Sequence, residues 1–79
     1  MNKEFIEKQI EEVKYDLNFH ETTLATSQAT LDGVQFLPDG DLKTKLVKES
    51  TDEVKWYTKR IIHDHNMLDV LYTARDLTS

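Results

Sequence analysis

Glycine and proline occur only between residues 33 and 40 of this 79-residue chain. Gly33, Pro38 and Gly40 stand in the run Asp32-Gly33-Val34-Gln35-Phe36-Leu37-Pro38-Asp39-Gly40-Asp41, and neither residue type occurs elsewhere. These are the strongest local breakers of regular structure. Gathered in one place, they predict one connection between two long elements.

Both arms are written in heptads. Ile10, Leu17, Leu24 and Leu31 recur every seven residues, and Ile6, Val13, His20 and Ser27 recur every seven at an offset of four. Such a pattern makes a single stripe along an α-helix. Gly33 follows the last apolar position, where a helix stop belongs. The expectation is a helix over residues 3–31, a connection over 32–40 and a helix over 41–76. In the second arm Val47, Val54, Ile61 and Leu68 form one line, and Ser50, Tyr57, Asp64 and Leu71 the other. Ser50-Thr51-Asp52-Glu53 also fits a capping box, so a short separate helix near 41–49, or a kink at Ser50, is an open alternative. Val34, Phe36 and Leu37 are expected to fold back over Leu42 and Leu46. Strict apolar alternation, the mark of a half-buried strand, is absent. The fold class is therefore all-α: an antiparallel helical hairpin with a coiled-coil seam.

The seam predicts its own alignment. Setting Leu31 opposite Val54 brings Leu24 to Ile61, Leu17 to Leu68 and Val13 to Leu71. It also sets Ser27 against Tyr57 and His20 against Asp64. A slip of one heptad would press Val13 on Asp64, and burying an unpaired charge is costly. His20 and Asp64 are thus expected to form a structural polar pair that specifies alignment.

The composition narrows the function classes. A chain of 9.3 kDa allows one small domain, residues 1–79, and buries only about 60% of the surface of its unfolded form. With no cysteine, disulfides, thiolate metal sites and a cysteine nucleophile are excluded. No apolar run approaches the roughly 20 residues of a membrane span, and the charged start lacks a signal-peptide core. A cytoplasmic protein without membrane attachment is expected, of the kind found among small bacterial or phage accessory proteins.

Candidate chemistry is sparse. His63-Asp64-His65 suggests a metal-dependent hydrolase. Yet residues two apart on a helix point about 200° from each other, so the two histidines cannot chelate one ion from a regular helix. Ser27, Ser50 and Ser79 lack a glycine-flanked elbow, and Gly33 and Gly40 are not followed by the Gly-Lys-Ser/Thr of a phosphate loop. No catalytic residue, metal, cofactor or small-molecule substrate is expected.

Charge is unevenly spread. Residues 1–31 hold three lysines against six carboxylates, whereas residues 42–62 hold Lys43, Lys45, Lys48, Lys55, Lys59 and Arg60 against Glu49, Asp52 and Glu53. The net charge of −5 disfavours general binding to nucleic acid, which depends on neutralising phosphates. The basic segment 43–60, with Trp56 and Tyr57 interleaved, keeps nucleic-acid association as the alternative function.

The most informative residues are apolar ones off the stripes: Phe5, Tyr15 and Phe19 in the first arm, and Trp56, Ile62, Met67 and Val70 in the second. A two-helix hairpin hides one stripe per helix and leaves this surplus outside. Exposed aromatic surface marks partner binding. The expected function is a non-enzymatic α-helical interaction protein, an adaptor, inhibitor or assembly factor. Its expected protein interface comprises Phe19, Trp56, Ile62 and Met67. A homodimer forming a four-helix bundle and an unidentified protein partner are the expected assemblies.

Overall fold

A computed structural model describes residues 2–78. It contains two helices, α1 (Lys3–Val34) and α2 (Asp41–Thr78), packed against each other as an all-α hairpin. A 38-residue helix is about 57 Å long, and the molecule measures 58 × 14 × 13 Å. The side-chain contacts fix the direction: His20 meets Asp64 and Ser27 meets Glu53, so α2 descends as α1 rises.

The Asn2 side chain accepts a hydrogen bond from the Glu4 amide at 2.7 Å, which caps α1. Burial then follows the heptads. On α1 the buried residues are Ile6, Ile10, His20, Ser27 and Val34, and on α2 they are Ser50, Asp64 and Leu68. The apolar centre lies at the open end of the hairpin, where Ile6, Ile10 and Leu68 gather Val13, Leu17, Leu71, Tyr72 and Ala74 around them.

The helix ends depart from the sequence expectation. α1 runs three residues past Leu31, through Gly33, and no glycine among the described residues has a positive φ. Val34 is the next seam position after Ser27, and its burial holds the last turn against α2. Pro38 is the actual stop: it has no amide to donate and disfavours helical backbone at Leu37. The chain tightens there, with Phe36 N donating to Gly33 O at 3.1 Å and Leu37 N to Val34 O at 3.0 Å. Of the three residues expected to fold back, only Val34 is buried, and Phe36 is 91% exposed. A link of six residues, 35–40, is too short to return over α2. Instead Lys43 reaches back, with Nζ 3.2 Å from the Gln35 carbonyl and 3.3 Å from Asp39 Oδ1.

α2 is one helix, with no separate 41–49 segment. Gly40 O accepts from Thr44 N at 3.1 Å and starts it. Ser50 is buried in the seam instead of capping a new helix. An unbroken seven-residue repeat pulls both halves of α2 onto the same partner helix, which overrides the local capping signal.

Candidate functional site

At mid-seam, α1 and α2 bring His20 and Asp64 together. His20 Nδ1 lies 2.6 Å from Asp64 Oδ2, and both residues are buried. An ionised carboxylate only accepts, so Nδ1 carries the proton. Three aromatic rings screen this bond. Phe19 and Trp56 meet the imidazole edge-on at centroid distances of 5.8 and 6.2 Å, and Tyr57 lies at 5.9 Å. Trp56 and Tyr57 stand edge to face at 4.9 Å. Tyr57 is thereby occupied with His20, and the Ser27 hydroxyl, expected opposite Tyr57, donates to Glu53 Oε2 at 2.8 Å.

Helical geometry divides the exposed apolar residues between the two flanks of the hairpin. In the seven-residue repeat of the seam, Leu42, Trp56, Val70 and Leu77 share one heptad position of α2, with Met67 beside it. The line lies on the Asp64 side of the seam. Phe5 and Phe19 fall on the corresponding side of α1, the His20 side. In an antiparallel pair these two sides form the same flank. All seven side chains are exposed, Phe19 by 56% and Trp56 by 54%.

Ile62 does not belong to this surface. It is six residues from Trp56, hence about 120° away around α2, on the opposite flank. Its exposure is isolated there, among Lys48, Lys55 and Asp69 on the same helix face. The expected interface therefore separates into Phe19, Trp56 and Met67 on one flank and Ile62 on the other. Phe5, Leu42, Val70 and Leu77 join the first group.

Beside Trp56 lies an open hollow of about 390 Å³, walled by Asp52, Glu53, Trp56 and Tyr57. Two carboxylates and two aromatic rings suit a cation. The Arg60 guanidinium lies on another side of Trp56, 5.7 Å from the ring centroid, and its Nε is buried without a hydrogen-bond partner.

The histidine cluster is dispersed. Asp64 faces inward with Oδ2 committed to His20, while His63 points outward, with Nδ1 3.6 Å from Oδ1. Among the described residues no three His, Asp or Glu groups converge to hold a metal ion. No helix among them is long and apolar enough to cross a membrane. Lys48, Lys55 and Lys59 share a face of α2 within about 40°, with Asp52 at its edge, about 20° beyond Lys59. Comparison with protein-family models, with curated proteins and with solved structures finds nothing that matches this chain.

Proposed function

We propose that this chain is a small, non-enzymatic α-helical interaction protein, an adaptor, inhibitor or assembly factor. It acts through the flank formed by Phe5, Phe19, Leu42, Trp56, Met67, Val70 and Leu77. One observation carries this: seven large apolar side chains from both helices lie exposed on one flank, while among the described residues only Ile6, Ile10, Val34 and Leu68 are buried apolar core. This apolar surface is interrupted by Glu12, Glu49 and His63, but its gathering on one flank favours a protein-binding face. Trp56 is its anchor, since large aromatic residues dominate binding energy in such interfaces.

The test separates a binding face from a core. Trp56→Ala is unfolded by urea at concentrations low enough that stability no longer depends on protein concentration. Trp56 also touches His20 and Tyr57 with its ring, so a binding residue there costs the hairpin no more than about 2 kcal/mol, the worth of those two ring contacts. A loss above about 3 kcal/mol would place Trp56 in the intramolecular core and end this reading. Salt-sensitive oligonucleotide binding abolished by Lys48→Ala and Lys55→Ala would replace it with nucleic-acid association.

A further inference from the structure

The proposed binding face carries information about its occupant. We propose that a second copy of this chain docks on it, α2 against α2, antiparallel about a two-fold axis at Trp56. The proposal rests on the flank being a protein-binding face and adds which protein fills it.

The α2 sequence is complementary to itself about Trp56. The line through Trp56 holds Leu42 and Glu49 before it and His63 and Val70 after it, at equal separations of 14 and 7 residues. Antiparallel docking with Trp56 on the axis sets Leu42 against Val70 of the other copy and Glu49 against His63. The neighbouring lines behave alike. On the seam side, Glu53 meets Arg60 and Leu46 meets Met67. On the outer side, Asp52 meets Lys59 and Lys45 meets Asn66. Apolar meets apolar, carboxylate meets lysine, arginine or histidine, and no like charges coincide. A two-fold interface requires this self-complementarity, because residue i contacts j while j contacts i.

Two features of the single chain fit the second copy. The hollow of Asp52, Glu53, Trp56 and Tyr57 lies where the other copy's Lys59 and Arg60 arrive, and its walls suit a guanidinium. The Arg60 guanidinium lies over the Trp56 ring, and that docking brings it to Glu53 of the other copy. Area agrees as well. The described chain exposes 5911 Å², against about 5,000 Å² for a compact monomer of this mass. The excess matches the roughly 800 Å² each partner contributes to a standard interface.

The discriminating experiment exchanges charges. Asp52 and Lys59 are both exposed and lie seven residues apart on α2, so reversing either leaves the seam untouched. Asp52→Lys alone sets lysine against lysine across the axis, and Lys59→Asp alone sets aspartate against aspartate. Each is expected to weaken self-association by about tenfold, as the two symmetry-related exposed pairs turn from attractive to repulsive. Mixed in equal amounts, the two variants pair lysine with aspartate at both positions and should associate as tightly as the parent. Sedimentation equilibrium gives the association constants, and circular dichroism checks that helicity is unchanged. A parent chain that stays monomeric and folded at high micromolar concentration overturns the second-copy proposal while leaving the binding face open to a foreign protein. A parent dimer that neither variant weakens, or that the mixture fails to restore, overturns this alignment.

Discussion

The buried pair at mid-seam gives an asymmetric prediction. His20→Leu removes the side chain hydrogen-bonded to Asp64 and leaves that buried carboxylate without its close partner in the seam. Removing one partner of a buried charged pair typically costs about 3–5 kcal/mol. Asp64→Leu instead leaves the imidazole N–H without its acceptor, a loss of about 1–3 kcal/mol. The double variant His20→Leu/Asp64→Leu leaves neither problem and adds apolar contact with Leu17, Leu24, Ile61 and Leu68 along the same stripes. It is expected to equal the parent or exceed it by about 1–4 kcal/mol. A chain of this length has a total stability of about 4–12 kcal/mol, so each single change is easily measured.

Urea unfolding of the four proteins at neutral pH gives the coupling energy. The three losses should be strongly non-additive. A double variant whose loss equals the sum of the singles would show that the two side chains do not act together. Alignment needs its own readout. Spin labels at exposed Glu12 and Asp69 report the distance between the helices, and a one-heptad slip displaces one label along the axis by about 10 Å. The parent should give one narrow distance distribution and the double variant more than one. A single narrow distribution in both would mean that the pair does not set the register.

Other substitutions test the fold. Ile6→Ala, at the fully buried position, should cost about 2–4 kcal/mol, whereas Phe36→Ala, at 91% exposure, should stay within about 0.5 kcal/mol; equal effects in thermal unfolding would contradict the position of the core. Gly33→Ala should stabilise by about 0.5–1 kcal/mol, because Gly33 is helical and an added Cβ meets nothing within 4 Å; a drop in melting temperature would argue for a left-handed cap at Gly33. Asn2→Ala should lose about 1 kcal/mol through the cap to Glu4, with hydrogen exchange accelerated in the first turn of α1 and nowhere else.

The hairpin was legible because two independent signals agreed. The breakers between 33 and 40 counted the helices, and the seven-residue repeats oriented them toward each other. Helix ends were less legible, since a glycine near a helix end is read as a stop although nothing local forbids its helical conformation. Tertiary packing of Val34 decided the matter, and only Pro38 blocked the chain outright. The Ser50 cap lost for the same reason: a side chain that serves as a helix start in isolation serves equally as a small seam residue when the repeat continues through it.

The exposed apolar flank proposed for binding was legible in part. Phe19, Trp56 and Met67 lie off the seam, as their numbers require, but so does Ile62. Distance from the stripe says that a residue is outside, and only the sense of rotation around each helix says on which side. That rule was available in the sequence, and the spacing of Leu42, Trp56 and Val70 at 14-residue intervals states the line directly. The Ser27–Glu53 bond was not available, because Glu53 sits beside the seam and reaches into it with a flexible side chain.

Seam and flank are then one system. A seven-residue repeat fits its partner almost as well after a slip of seven residues, so apolar stripes alone leave the alignment of α1 on α2 loosely fixed. His20, Ser27, Ser50 and Asp64 occupy buried seam positions that apolar residues would fill with greater stability. Their placement makes sense through the flank. A slip of one heptad carries Phe19 about 10 Å away from Trp56 and breaks a surface assembled from both helices. Trp56, Tyr57 and Phe19 close over the His20–Asp64 bond, so the same aromatic cluster reports the alignment on the inside and borders the proposed binding face on the outside. Stability given up in the seam is thus converted into a defined flank, and on the proposed docking the partner restores part of it by covering that flank.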